Sequence, residues 1–522
     1  MVDQNIYEAV ETTEAVKEEV QFSVLDSVYA WITLILGYLF CRAFPVKEST
    51  LGGFLLVLSA FVITFIVFKI RGEKVGVLPT LAAISAVVIS ATLVITSNRF
   101  LGAYAYFYAI IAYMYFIFAA TSNRTEKGFS NYILIDFFKA IFVMPFVSFG
   151  LVFKALFSGK ARGSGKFILK LLLGCGMAII PTAIIFSLLS YDSDFTKLFK
   201  NIFDFSAFDV FSQFVSIGFA IPIAMYVFGL YTSSIRHKCQ NVANVKKCRA
   251  FWGKIKIAPI VTILAAVVPI LLIYVVFFIS QSKYYLSGFT GVLPENFTYA
   301  EYAREGFFQL CTVSCINLAI ITLIAMFMKR NNGKPSVALK IVSVVFSVFT
   351  LALISTAVSK MVIYINCYGL TQKRVYSTWL MVVIALVFIF IAIKQFVPKI
   401  KVVALSLSVL VVLFGALSLS NVDRIIAKYN VDRYIAGSIE DFDVHATVEL
   451  GDAAVPELVR LNDYLKEKMQ NGDVTYEEKG TYYSLNDELE YIKKSKADEK
   501  KEKEIFSYTL PYIEAQRALK SN

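Results

Sequence analysis

Eleven runs of about twenty apolar residues recur along the chain, near 24–44, 51–70, 75–97, 99–120, 168–190, 207–232, 258–280, 304–328, 337–359, 376–395 and 400–419. A run of that length, wound as a helix, crosses the roughly 30 Å of hydrocarbon in a bilayer and satisfies its backbone groups internally. Composition closes off the soluble alternative, because 57% of the 522 residues are hydrophobic and only 17% charged. The mean hydropathy is +0.65, and so little charge does not solvate a globule of this size. The expected fold class is all-α: a polytopic helical integral membrane protein with about eleven transmembrane helices and a small helical C-terminal region. The first run is not a cleavable signal peptide, since Glu18, Glu19 and Asp26 flank it where a basic segment would stand.

Lysine and arginine in the short loops set orientation. The 121–167 connection holds Arg124, Lys127, Lys154, Lys160, Arg162 and Lys166, and the 233–257 loop holds Arg236, Lys238, Lys246, Lys247, Arg249, Lys254 and Lys256. Lys329, Arg330 and Lys334 mark a third basic loop, and Lys394, Lys399 and Lys401 a fourth. All four are expected in the cytoplasm of a bacterium, which puts the acidic N-terminal segment 1–23 inside and the tail 421–522 outside. Between the first four helices (24–120) and a seven-helix membrane core (168–420), the basic connection contains the apolar stretch 131–157. Asp136 and Lys139 interrupt it and Pro145 divides it, so an in-plane or re-entrant helix pair is expected there. A second amphipathic piece, "DFTKLFKNIFDF" at 194–205, is expected to lie on the outer leaflet.

The tail carries 15 Lys and Arg against 21 Asp and Glu, a net −6, so the rest of the chain holds +18. That basic excess fits attraction to the cytoplasmic leaflet, and with no folded basic domain to carry it, nucleic acid is not an expected partner. In the tail, Asn421 is placed to cap a helix over "VDRIIAKYN", and "DAAVPELVRLNDYL" repeats apolar residues at helical spacing. The run "KKSKADEKKEKE" at 493–504 reads as a solvated helix or linker.

The usual marks of catalysis and metal binding do not appear. Cys239, Cys248 and His237 share a basic loop but match no common metal spacing, and no cofactor or metal is expected. "GKARGSGKF" at 159–167 fails as a phosphate loop because Phe167 stands where a magnesium-binding hydroxyl belongs. The early turn "PVKEST" offers Glu48 alone, which disfavours a lipid-linked sugar transferase. No Asp or Glu lies in the middle third of any of the eleven runs, which disfavours ion-coupled transport.

Polar side chains gather instead at the expected outer surface. In "FTYAEYAREGFFQL", 297–310, Thr298 and Glu301 form a capping box, Arg304 is spaced to pair with Glu301, and Tyr302 and Glu305 stand beside them. The ninth run exits through Lys360, Tyr364, Tyr368, Gly369, Thr371, Arg374 and Tyr376, and the last through Asp423, Arg424, Tyr429, Asn430 and Arg433. Helix anchoring accounts for these charges one by one. Their convergence on one side points to a shared polar site.

The order "YAREGFFQL", "YGLTQKRVY", "NVDRIIAKYNVDRY" and "DAAVPELVRL" resembles the bacterial multi-pass membrane family called domain of unknown function 4173, related to 4153, over roughly 170–520. Lys360 departs from that family's pattern, which favours arginine there. The resemblance implies a topology and no activity. The expected function is a non-enzymatic, envelope-associated sensing or assembly component of the bacterial plasma membrane, whose partners are the lipid bilayer and an extracytoplasmic ligand or envelope protein. The competing readings are a transporter or exporter without ion coupling, and a membrane-embedded transferase.

Overall fold

A computed structural model describes residues 21–43, 50–158, 207–238, 244–280, 307–329, 337–439, 442–502 and 507–521, with isolated positions between 181 and 195. Its longer helices are α1 (Val24–Ala43), α2 (Thr50–Ile70), α3 (Val77–Ser90, continued by Thr92–Ile95), α4 (Arg99–Ala120), α5 (Ala207–Ile235), α6 (Val245–Ile255), α7 (Ile260–Ser280) and α8 (Phe307–Phe327). They continue as α9 (Val337–Tyr368), α10 (Gln372–Phe396), α11 (Val402–Leu419), α12 (Val422–Ile435), α13 (Val455–Gln470), α14 (Tyr476–Glu502) and α15 (Leu510–Ser521). Ten of them, α1 to α5 and α7 to α11, are long and apolar enough to cross a membrane. Among the described residues no strand forms, and the chain is an all-α polytopic membrane protein. The expected span at 168–190, the amphipathic piece at 194–205 and the 159–167 turn lie outside the described residues, apart from a few isolated positions.

The chain divides into two compact units: Met1–Arg42 with Pro145–Thr232, and Ala43–Met144 with Ser233–Asn522. In the first, α1 packs on α5 through small residues that let the backbones approach. A Cβ on Gly37 would stand 2.8 Å from the Ala220 carbonyl oxygen, and one on Gly229 would overlap the Pro145 carbonyl. Tyr29 and Tyr231 meet with ring centroids 4.2 Å apart, and Ser27 donates to the Ala155 carbonyl at 2.6 Å.

The second unit holds α2 to α4, α7 to α11 and the helical tail α12 to α15. Its membrane helices are joined by buried hydroxyl and amide groups, the polar contact that hydrocarbon surroundings favour. Tyr274 donates to Asn317 Oδ1 at 2.5 Å, and Asn317 Nδ2 donates to Thr350 Oγ1 at 3.0 Å. The tail core, including Ile426, Leu458, Leu461, Leu465, Leu485 and Leu519, is continuous with Leu101 of α4 and packs on Leu370, Val375 and Leu417. The tail therefore docks on the end of the unit where α4 and α10 begin. The basic loops meet at the other end, where Lys401 donates to the Phe129 carbonyl at 2.7 Å and His237 Nδ1 lies 3.2 Å from Asn123 Oδ1.

The apolar stretch 131–157 is broken into short pieces. In the second unit, helix Ile133–Phe138 runs into a π-helical turn, Lys139–Val143, whose i→i+5 hydrogen bonds span one more residue than those of an α-helix. Asp136 and Lys139 are both buried there. Thr125 holds the Asp136 carboxylate through its backbone N–H at 2.9 Å and its hydroxyl at 2.6 Å, while the Lys139 ammonium lies over the Phe118 ring. In the first unit, which the chain enters at Pro145, the stretch forms the helix Leu151–Leu156.

One expectation for the tail needs correction. Asn421 precedes α12 in the left-handed conformation, at φ 48°, and makes no side-chain capping bond. The 493–502 part of the charged run is the end of α14, largely exposed over 493–498 as the sequence suggests, with Lys496 pairing with Asp452 at 2.6 Å and lying over the Tyr512 ring.

Candidate functional site

The tail joint is built around the turn between α9 and α10. Gly369 takes φ +73° to reverse the chain, a conformation that costs a side-chain-bearing residue about 1–2 kcal/mol. Thr371 then caps α10 by accepting from the Arg374 N–H at 3.4 Å. Arg374 turns back over the end of α9. Its guanidinium donates to the Tyr368 carbonyl at 2.9 Å and to the Gly369 carbonyl, and stacks over the Tyr364 ring at 4.0 Å. Carbonyls at a helix C-terminus lack intrahelical partners and face the negative end of the dipole, so a fixed cation satisfies both needs. Replacing Arg374 by Gln is expected to lower stability by about 1–3 kcal/mol. Lysine should recover only part of this, because it lacks the planar fork and the stacking face. Thermal unfolding of the purified variants reads the difference, and equal melting of wild type and Arg374→Gln would refute the capping role.

The tail reaches this turn with two side chains from α12. Asn430 clamps Leu370 on both sides, accepting its N–H at 2.7 Å and donating to its carbonyl at 2.9 Å. Asp423, with 1% of its surface exposed, accepts from Gln372 at 2.7 Å and from Asn98 at 2.9 and 3.2 Å. Asn98 in turn caps α4 by accepting from the Leu101 N–H at 3.0 Å, and it donates to the Tyr376 hydroxyl at 2.9 Å. A carboxylate held by neutral amides, with no cation paired to it among the described residues, is poorly compensated for its lost water. Burial pushes the Asp423 carboxyl above its usual range, against the opposing hydrogen bonds from Gln372 and Asn98.

Of the residues singled out in the sequence, Tyr364, Tyr368 and Arg374 thus form one cluster, Tyr376 and Asp423 another, and Asn430 bridges α12 to the turn. Arg424 does not join them, since it pairs with Glu514 inside the tail at 2.7 Å. Lys360 is buried in α9, eight residues before Tyr368 and so about 12 Å further along the helix axis. Glu301, Tyr302, Arg304 and Glu305 lie outside the described residues. Asn98 and Gln372 were missed. Asn98 had a readable signal, an asparagine directly before an apolar run, which is the composition of a helix N-cap; Gln372 had none that separates it from ordinary loop residues.

Beside the joint, a groove of about 1270 Å³ runs down the second unit between α3, α4, α10 and α11. Phe100, Tyr104, Tyr108, Trp379 and Phe414 form its aromatic walls, and Gln372, Lys373 and Tyr376 stand at its tail end. Gln372 and Tyr376 thus belong to both groove and joint.

Compared with known families, residues 83–461 match the model of a domain of unknown function, DUF4153. The match begins within α3, well before residue 170, ends at 461 rather than near 520, and takes in the whole joint and the groove except Leu78, Leu81 and Ala82. No curated protein and no solved structure matches the chain.

Proposed function

The chain belongs to the DUF4153 family, and we propose that it works as a non-enzymatic, envelope-associated sensing or assembly component, in which the helical tail responds to the state of the membrane helices. The observation that carries this is the buried Asp423 joint. Through Asn98, Gln372 and Tyr376 it ties the first turn of α12 to the starts of α4 and α10, so a shift of either membrane helix displaces the tail. Arg374 and Asn430 are occupied with backbone groups of the turn and Asp423 with side-chain amides, which suits a mechanical link better than turnover of a substrate. The order of the four motifs further supports a place near the related family 4173.

The tail is proposed to face the exterior of a bacterial plasma membrane. Basic loops gather at the opposite end of the second unit, where Lys401, Phe129, Asn123 and His237 meet, and such loops stay in the cytoplasm. A reporter fused after residue 522 is expected to be active only outside the cytoplasm, and one inserted near Lys246 only inside. The reverse pattern at either place would sink this orientation. For the function, a deletion strain's envelope phenotype should be restored by the full chain and not by a chain ending at residue 420 that accumulates in the membrane to the same level. Full restoration by that truncated chain would return the protein to the competing reading, an exporter of lipid-like cargo through the groove.

A further inference from the structure

We propose that the groove between α3, α4, α10 and α11 is a binding site for an anionic phospholipid of the bilayer, with its phosphate at Lys373 and its acyl chains along the aromatic wall. The inference deepens the sensing role and rests on it only where it concerns the tail. Three observations point to this occupant.

The first is polarity. Along its length the groove offers mostly apolar and aromatic surface, and its serine hydroxyls are already engaged. Ser85 bonds the Tyr108 hydroxyl at 2.7 Å and the Ala82 carbonyl at 2.9 Å, and Ser408 donates to the Ala404 carbonyl at 2.9 Å. Apart from these serines and the tyrosine hydroxyls of its wall, polar groups stand at the tail end, with Gln372 and Lys373, which is the distribution of an amphiphile with one head.

The second is length. On α4 the lining runs from Phe100 to Tyr115, which at 1.5 Å per residue is about 22 Å. Half of a roughly 30 Å hydrocarbon core is about 15 Å. A chain whose headgroup sits at Lys373 therefore lies in the groove throughout its own leaflet.

The third is charge. Lys373 is exposed and makes no ion pair among the described residues, and Arg99 is exposed at the start of α4 beside the same rim. One lysine at this level favours an anionic headgroup over a zwitterionic one. Because Gln372 and Tyr376 line the groove while holding Asp423 and Asn98, a headgroup at Lys373 also abuts the joint, and its arrival is felt by α12.

Trp379 in the groove wall supplies the test. The full chain has three tryptophans, so Trp31→Phe with Trp252→Phe leaves Trp379 as the only emitter. The variant is reconstituted in vesicles of unlabelled lipid doped with phospholipid carrying brominated acyl chains, which quench indole on contact. Brominated phosphatidylglycerol should quench Trp379 with an apparent affinity about fivefold higher than brominated phosphatidylcholine, the factor expected of one lysine near an anionic surface. Lys373→Gln, a change at an exposed side chain, should bring the two lipids to equality. Equal quenching by both in the protein bearing Lys373 means ordinary surrounding lipid and overturns the site. Absence of quenching by either means that the groove is closed to lipid, and overturns it as well. A separate readout, protease cleavage of the tail in phosphatidylglycerol against phosphatidylcholine vesicles, addresses sensing alone: a lipid preference at Trp379 with identical tail cleavage keeps the site and removes the coupling.

Discussion

Replacing Asp423 by alanine is expected to release the tail from the membrane helices. The substitution removes the acceptor for Gln372 and one of the two acceptors for Asn98, which keeps the Tyr376 hydroxyl, and each hydrogen bond lost costs about 1–3 kcal/mol. The combined loss, about 2–5 kcal/mol, is a large part of the stability of an ordinary domain. It falls on the joint, because the tail has its own core of leucines around Leu458, Leu461 and Leu485. Protease should then cut near residue 421 in the Asp423→Ala variant while sparing α13 and α14. Asp423→Asn keeps one acceptor oxygen and should lie between the two. An unchanged digestion pattern and melting temperature in Asp423→Ala would show that the apolar contacts alone hold the tail.

The same residue gives the joint a pH dependence of defined sign. Burial raises the Asp423 carboxyl above its ordinary 3.8 in the folded protein. Between that value and the raised one, the native state binds more protons than the unfolded state. Stability from this group is therefore greatest below the ordinary carboxylate value and is lost as pH rises through the folded one. Asp423→Asn should flatten that part of the profile.

The membrane helices were legible because the forces that place them are local and one-dimensional. The runs at 24–44, 51–70, 99–120 and 258–280 coincide within two residues with α1, α2, α4 and α7, since each ends where the chain becomes polar. The same rule misplaced the turn between α9 and α10. Lys360 and Arg374 look like boundaries of an apolar run, yet α9 continues to Tyr368 and α10 begins at Gln372, because a helix ends where its hydrogen bonds end. The polar residues of the joint were visible as a group, but their purpose was not. Asn98 and Asp423 are 325 positions apart, and a pairing across that separation leaves no periodicity to read. Sequence also marks Arg374 as a charge at an interface, without disclosing that two orphaned carbonyls wait for it five and six residues back.

Gly369 is expected to tolerate no side chain while Asn430 is in place. Its φ of +73° is already unfavourable for any residue with a Cβ, and a Cβ there would stand 2.5 Å from Asn430 Oδ1. That oxygen is fixed by the Leu370 N–H at 2.7 Å, so it retreats only by giving up the clamp. Gly369→Ala should therefore carry two costs, about 1–2 kcal/mol of backbone strain and about 0.5–1.5 kcal/mol for the lost hydrogen bond. A double-mutant cycle separates them. Asn430→Ala alone removes the clamp; combined with Gly369→Ala it leaves the strain but no collision, so the double variant should be more stable than the sum of the two single losses predicts. Strict additivity would mean that the Asn430 side chain does not hold the turn. The tail would then rest on the Asp423 joint and its apolar contacts, and Gly369→Ala would leave protease cleavage near residue 421 unchanged.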